Sequence, residues 1–383
     1  MENQIRFYGR GGEFFGIWIV NLLLSIVTLG IYSAWAKVRT KKYFYGNTEL
    51  AGDRFDYHAK PIQILKGRIV AAVCVAAWLI SNSFFPLFSL VLFLAFALAL
   101  PWLVHGNTRF DARVTSYRNV RFDFAGTLKG AYGVFLGWPA LCYLLVGLCF
   151  FFTFFVAGSY PIGGLVLSIM TFVLGFVLYA WIAAQMAKYF INGYHYGDRA
   201  FSGDVELSVY VKTYLLGGLL GLGLSVVWVI IGVAFGGASM LAELGSAGQM
   251  SGTGASQGMI LAIVASYGGM ILTMLVVMGF IKARIRNYLF GQTVIEGESE
   301  YRLNSQMKTW GLVSLMVTNF LLTVVTLGFA RPWVKVRTAR YVAGTTMVIG
   351  DLDKLVVQGS DTNAGSAITD EVSNALDLNI GIG

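Results

Sequence analysis

The stretch Asn21-Leu-Leu-Leu-Ser-Ile-Val-Thr-Leu-Gly-Ile-Tyr-Ser-Ala-Trp-Ala-Lys-Val-Arg-Thr-Lys-Lys-Tyr43 returns near the other end of the chain. There it reads Asn319-Phe-Leu-Leu-Thr-Val-Val-Thr-Leu-Gly-Phe-Ala-Arg-Pro-Trp-Val-Lys-Val-Arg-Thr-Ala-Arg-Tyr341, without a gap and at a constant offset of 298 residues. An internal repeat sets the unit of architecture. Three weaker copies of the skeleton lie between. An aromatic ends an apolar run and a second follows eight residues later: Trp35/Tyr43, Trp102/Phe110, Trp181/Tyr189, Phe280/Tyr288 and Trp333/Tyr341. Five positions past the second aromatic stand Thr48, Thr115, Tyr194, Thr293 and Thr346; nine past it stand Gly52, Asn119, Asp198, Gly297 and Gly350. A third aromatic lies twelve or thirteen on, at Phe55, Phe122, Phe201 and Tyr301, where the fifth copy has Asp353.

What separates the copies is apolar. Of 383 residues 56% are hydrophobic and only 13% charged, and the mean hydropathy is +0.67. Soluble proteins carry about 25% charge, so too little polar surface is present to cover a globule of this size. The composition points to a membrane protein and excludes a disordered chain, a collagen and a disulfide-stapled domain. Cys74, Cys142 and Cys149 lie in apolar runs and read as small hydrophobes. Uncharged runs cover 14–36, 69–104, 130–187, 213–242, 244–281 and 309–330. A bilayer core needs about 20 apolar residues as helix. The second run breaks at Ser81-Asn82-Ser83 and Pro86, and the third at Gly158-Ser159-Tyr160-Pro161. A Gly/Ser/Ala-rich stretch, 236–258, reads as a flexible loop. Eight hydrophobic elements result, and helices satisfy their backbones in lipid. No small-residue cleavage site follows the first run, so it is not expected to be a removable signal.

None of the 28 Lys and Arg residues falls in 81–86, 157–162 or 236–258. Positive charge stays on the cytoplasmic side, so the chain is expected to form three helical hairpins, 66–104, 130–187 and 212–281, entering and leaving there. The first and last runs have basic residues at both ends. Re-entrance with apices at Thr28-Leu29-Gly30 and Thr326-Leu327-Gly328 satisfies both ends; a simple crossing breaks the charge rule once in each run. The expected fold is an all-α polytopic membrane protein: six spanning helices as three hairpins, plus two terminal re-entrant or spanning elements, with a short cytoplasmic β-hairpin after each repeat. Residues 1–356 form one membrane domain of five units, both termini cytoplasmic, and 357–383 form a polar, disordered tail.

Each repeat position has a physical reading. Tryptophan at a helix end suits the headgroup layer. The segment between the second and third aromatics alternates about a turn residue, as in Asn47-Thr-Glu-Leu-Ala-Gly-Asp-Arg-Phe-Asp-Tyr57, which reads as a β-hairpin, with an irregular amphipathic linker as the alternative. The pattern Thr28-Leu-Gly-Ile-Tyr-Ser-Ala-Trp-Ala-Lys-Val-Arg39, followed by Tyr43, Gly46, Thr48, Gly52, Asp53 and Phe55, resembles the YjgN family of bacterial inner-membrane proteins. The resemblance spans about residues 4–356 and implies location and a polytopic topology. The family has no assigned function, so it carries no catalytic residues to transfer.

Motifs for chemistry are scarce. His58, His105 and His195 have no partner at metal-ligand spacing, and no nucleophile elbow, P-loop or dinucleotide fingerprint occurs. No catalytic residue, metal or cofactor is assigned, and an enzyme is not expected. The net charge of +8 sits beside the spans, so membrane orientation explains it better than nucleic acid does. Asn21, Thr28, Asn319 and Thr326 are candidates for a polar pocket; bonding between neighbouring helices is the plainer reading. Interfacial aromatics are expected at Trp35, Trp102, Trp181, Phe280 and Trp333. Lys37, Arg39, Lys41, Lys42, Arg284, Arg286, Lys335, Arg337 and Arg340 are candidates for anionic headgroups. The leading function is a non-enzymatic module that binds lipid or a partner through its basic cytoplasmic face. The alternative is a transporter or channel for a small or lipid-like solute, not ion-coupled. The sequence names no protein partner and no oligomeric state.

Overall fold

The computed structural model describes residues 1–245, 254–297, 301–355 and 357. Helix α1 (Gly11–Val27) and α2 (Ser33–Gly46) are joined by a tight turn. Spanning-length helices follow: α3 (Pro61–Phe84), α4 (Pro86–Arg113), α5 (Leu128–Tyr132) continued through a π turn at Gly133–Gly137 into α6 (Trp138–Ser159), α7 (Pro161–Ile191), α8 (Leu207–Gly245) and α9 (Gly254–Gln292). Two shorter helices close the series, α10 (Thr309–Val325) and α11 (Arg331–Gly344). Among the described residues six helices are long and apolar enough to cross a membrane. The loop expected over 236–258 is helical at both ends; its centre, 246–253, lies outside the described residues, as do 358–383 of the expected disordered tail.

Two turns show why the helices stop where they do. Proline bars the helical region to the residue before it and starts a helix without needing its own N–H. Phe85 (φ −139°, ψ 75°) before Pro86 and Tyr160 (φ −134°, ψ 84°) before Pro161 are accordingly single-residue turns. The terminal turns use another device. Leu29 donates its N–H to Ile26 O at 3.1 Å and Gly30 donates to Ser25 O at 2.7 Å, a Schellman stop. Leu29 and Gly30 take φ +50° and +91°; Leu327 and Gly328 take +49° and +90°. The repeat therefore extends to backbone angles.

The chain gathers into two compact units: Met1–Leu207, Arg286–Gln306 and Ala330 onward in one, Ser208–Ile285 and Met307–Phe329 in the other. In the second, α8 and α9 run antiparallel at close range. A Cβ at Gly269 would lie 2.1 Å from the Trp228 ring, so only glycine fits there. In the first, α1 lies against both α2 and α11. Phe14 stacks on Tyr43 at 5.3 Å, and Phe15 meets Trp333 at 5.0 Å.

The strands expected as short β-hairpins after the repeats lie in the first unit, where they pair into one sheet that an all-α class does not describe. Its strands are β1 (Glu2–Gln4), β2 (Arg6–Phe7), β3 (Thr48–Leu50), β4 (Asp53–Tyr57), β5 (Thr115–Tyr117), β6 (Val120–Phe124), β7 (Tyr194–Tyr196), β8 (Arg199–Ser202), β9 (Val294–Ile295), β10 (Tyr301–Ser305) and β11 (Thr346–Ile349). All pairs are antiparallel, in the order β1-β11-β10-β9-β8-β7-β6-β5-β4-β3-β2. The two ends of that order are halves of one stretch, residues 2–7, so the sheet closes on itself. A lone hairpin is marginal in water and exposes two edges; closure removes both liabilities. Among the described residues the fifth copy forms no second strand. The N-terminal β1 pairs with β11 in that place, and Asp353, where an aromatic was expected, lies in a turn. Turn residues match the repeat: Ala51/Gly52 (φ +50°, +89°) and Arg118/Asn119 (φ +48°, +62°) are left-handed pairs suited to two-residue hairpins.

Leu50, Tyr117, Tyr196, Ile295 and Val348, one from each copy, are buried together inside the closed sheet. Tyr117 donates its hydroxyl to Leu50 O at 2.8 Å, and Tyr196 donates to Tyr117 O at 2.9 Å. Leu352 packs into the same core, with Leu355 and Val357 against it.

Candidate functional site

In four of the five copies a threonine turns the helix into its strand. Thr48, Thr115, Thr293 and Thr346 donate their hydroxyls to the carbonyls of Phe44, Asp111, Leu289 and Val342, four residues back, at 2.7–2.8 Å. The helix ends are thereby held over the mouth of the closed sheet. Between them, within the first unit, lies a chamber of about 510 Å³. Tyr45, Ala112, Ile191 and Phe290, all ten positions past the interfacial aromatic of their copies, line its upper wall. Phe55, Phe122, Phe201 and Leu303 line the strand side.

The chamber holds one ion pair. Lys41 Nζ lies 3.2 Å from Asp111 Oδ2, each side chain about a quarter exposed. The other carboxylate oxygen, Asp111 Oδ1, is buried without a hydrogen-bond partner in the protein. Lys41 also sits 5.5 Å from the centre of the Tyr57 ring, on which Tyr45 stacks at 5.5 Å. Tyr57 is fully buried and its hydroxyl is unpartnered. Burial first, then the negative charge of Asp111 and the Tyr45 phenol, push the phenols of Tyr57 and Tyr194 well above the ordinary tyrosine range. Chemically the chamber is an aromatic-walled space with one charge pair on its wall.

The candidate headgroup residues divide. Arg39, Lys42, Arg284, Lys335, Arg337 and Arg340 are exposed and Lys37 is half-buried. Arg340 also donates to Gly9 O at 3.0 Å, and the Arg284 guanidinium lies over Phe280 at 5.4 Å. Lys41 and Arg286, six positions past Trp35 and Phe280, turn inward instead. Arg286 is buried, donates to Thr346 Oγ1 at 3.0 Å and lies 4.1 Å over Phe290. Trp35 stacks on Tyr32 at 6.1 Å, Trp181 meets Trp138 edge-on at 5.3 Å, Trp102 is half-buried and Trp333 exposed. Of the polar-pocket candidates, Asn21 is buried and its Nδ2 reaches Ala36 O of α2 at 3.5 Å; Asn319 is buried in α10. Thr28 and Thr326 donate to Leu24 O and Leu322 O at 2.7 and 2.6 Å, so both serve the Schellman turns. His58 meets Ser116, His105 meets Tyr189 and His195 meets Gly193 O at 2.8, 3.0 and 3.1 Å.

Asp111, Tyr45 and Tyr57 were not singled out by sequence, and Tyr194 was noted only as a repeat position. A signal for Asp111 was present: nine positions past the interfacial aromatic the other copies carry Phe44, Phe190, Leu289 and Val342. One acid among four apolar equivalents marks a place where the repeat departs from pure packing.

A family model described as "Bacterial protein of unknown function (DUF898)" matches residues 2–375. The chain is 29% identical over 368 residues to the inner membrane protein YjgN of Salmonella typhimurium strain LT2, covering 92% of this chain and 90% of that one. It is 24% identical over 360 residues to the inner membrane protein YjgN of Escherichia coli strain K12, covering 91% and 89%. No solved structure matches it.

Proposed function

This chain belongs to the DUF898 family of bacterial proteins of unknown function, and we propose that it is a non-enzymatic inner-membrane module that binds anionic lipid through a basic collar on its cytoplasmic side. Inner-membrane location rests on its relatives and on the six apolar helices. The collar carries the reading. Counted from the interfacial aromatic, position two is Lys37, Lys282 and Lys335, position four is Arg39, Arg284 and Arg337, and position seven is Lys42, Arg109, Lys188 and Arg340. In sequence each stands between the interfacial aromatic and the strand of its own copy. A Lys or Arg near an anionic leaflet gains about 1 kcal/mol.

The absence of Lys and Arg from 81–86, 157–162 and 236–258 supports a cytoplasmic collar, since positive charge stays on that side. The terminal elements fit re-entrance. From Leu29 to Trp35, and from Leu327 to Trp333, is six residues, a helical rise of about 9 Å. From Phe85 to Trp102 is seventeen and from Tyr160 to Trp181 twenty-one, about 26 and 32 Å. The terminal turns then dip about a third as deep as the spanning ones. Leu29 and Leu327 are 94% and 89% exposed, as lipid-facing tips would be.

A passive path for a small solute has the chamber in its favour. Below that chamber, Tyr117, Tyr196, Tyr301 and Leu352 fill the closed sheet, which favours binding over passage. The test is to replace Arg39 and Arg337 together by Gln and weigh copurifying phosphatidylglycerol and cardiolipin. The collar reading expects both to fall; an unchanged lipid complement with topology preserved would overturn it.

A further inference from the structure

We propose that a recess beside the end of α7 binds the phosphoethanolamine headgroup of one phospholipid. Lys188 is a collar residue, so the assignment rests on the reading that the collar meets the headgroup layer. It goes beyond that reading in naming a zwitterion, where the collar selects for negative charge.

The recess measures about 350 Å³ and lies within the first unit. The turn 125–127 and Val134 form one side of it; Gln185, Lys188 and Tyr189 of α7, with the capping Asn192, form the other. Trp181 of α7 and Trp138 of α6 meet edge-on at 5.3 Å, a pair suited to the headgroup boundary. Gln185 stands four residues after Trp181 and Val134 four before Trp138. Both therefore lie about 6 Å beyond that boundary, toward the strands.

Lys188 Nζ and Asp204 Oδ1 are 3.7 Å apart, beyond hydrogen-bond range, with side chains 50% and 86% exposed. A pair of this kind holds weakly, and it leaves an ammonium and a carboxylate accessible side by side. Asp204 is kept at the end of α7 because the neighbouring Gly203 N–H donates to Asn192 Oδ1 at 2.9 Å. The Tyr189 hydroxyl is committed to His105 and Thr127 O, and the Thr127 hydroxyl to the Gly130 N–H. The recess thus offers donors from Gln185 and Lys188 nearer the membrane and an acceptor from Asp204 farther out. Phosphoethanolamine has the same order, with its phosphate next to the glycerol and its ammonium two carbons beyond. The phosphate accepts from Gln185 and Lys188. The ammonium donates to Asp204, where the carbonyl end of α7 also favours positive charge. A purely anionic headgroup would meet Asp204 with nothing to offset it, and a quaternary ammonium has no N–H to donate.

The test uses the full chain carrying Arg39→Gln and Arg337→Gln, so that collar binding is weakened and its failure is read separately, as an unchanged phosphatidylglycerol count against the parent. The protein is purified in detergent and delipidated. Dioleoyl phosphatidylethanolamine, phosphatidylglycerol and phosphatidylcholine, and tail-free glycerophosphoethanolamine, are offered separately, with retention read by native mass spectrometry. Phosphatidylethanolamine should be retained one to one and the other three at least tenfold less. Asp204→Asn, at an exposed position, leaves Lys188 uncompensated and should reverse the order, so that phosphatidylglycerol is retained over phosphatidylethanolamine. Gln185→Leu, or Lys188→Gln if the first variant does not fold, should cut phosphatidylethanolamine retention at least tenfold at an unchanged melting temperature. Equal retention of the three lipids, an unaltered order in Asp204→Asn, or full retention by a folded Gln185→Leu or Lys188→Gln chain would each overturn the assignment. Retention of glycerophosphoethanolamine equal to that of the lipid would make the ligand a soluble phosphoester and overturn its lipid part.

Discussion

Asn3 lies directly across from Val348 in adjacent antiparallel strands, so residues 2–4 and the fifth repeat share one ladder. Residues 2–7 then cross to pair with β3, where Arg6 faces Glu49. The closed sheet is completed only when both ends of the chain are present.

Closure can be trapped. Ile5 donates its N–H to Thr346 O at 3.0 Å, which makes the neighbouring pair Gln4 and Met347 a non-hydrogen-bonded one, with the closer Cα spacing that a disulfide needs. Gln4→Cys with Met347→Cys, in a chain lacking its three native cysteines, should cross-link under mild oxidation and shift on a non-reducing gel. No cross-link would mean the two ends do not meet.

The terminal turn stores a small strain. Leu29 adopts a left-handed angle that costs a side chain about 1 kcal/mol relative to glycine. Leu29→Gly should therefore hold or raise the melting temperature. Gly30→Val, at φ +91°, should lower it. The reverse order would contradict the Schellman geometry.

Arg113 Nε and Asp123 Oδ1 are 2.8 Å apart with side chains only 14% and 18% exposed. Asp123→Asn leaves a buried guanidinium uncompensated, a loss of about 3 kcal/mol, seen as a lower melting temperature. Burial alone would raise the Asp123 carboxyl, but its bonds to Arg113 and to the Phe124 N–H hold it below the usual aspartate range. A lowered folded pKa means stability present above the unfolded value and lost as pH falls through the folded one. The parent chain should lose more stability than Asp123→Asn between about pH 5 and pH 3, where the unfolded carboxyl takes up its proton. Parallel acid profiles would remove Asp123 from the account.

Much of this architecture was legible because it repeats. Aromatic spacing located the helix exits, Gly52 and Asn119 marked hairpin turns, and Pro86 and Pro161 marked the tops of two helix pairs. Closure was not legible. Strands β1 and β2 have three and two residues, too few for alternation to show, and β11, the partner of β1, is more than three hundred residues away. Asp353 in place of an aromatic was the visible trace. The inward turn of Lys41 and Arg286 was hidden too, since a basic residue among Lys37, Arg39 and Lys42 reads as one more collar charge until the helix face it occupies is known. The chamber depends on Asp111, a lone acid whose meaning appears only when the copies are placed around one axis.

The central claim is that the closed sheet and both ends of the described chain lie in the cytoplasm, with the Tyr160 turn outside. Single cysteines at Gln4, Lys354 and Ser159, all exposed, test it in a chain whose Cys74, Cys142 and Cys149 are replaced. Intact spheroplasts would be treated with a membrane-impermeant maleimide. Ser159→Cys should label at once, and Gln4→Cys and Lys354→Cys only after the membrane is permeabilised. Labelling of Gln4→Cys in intact cells would place the sheet on the other face and contradict the topology, the collar and the re-entrant turns together.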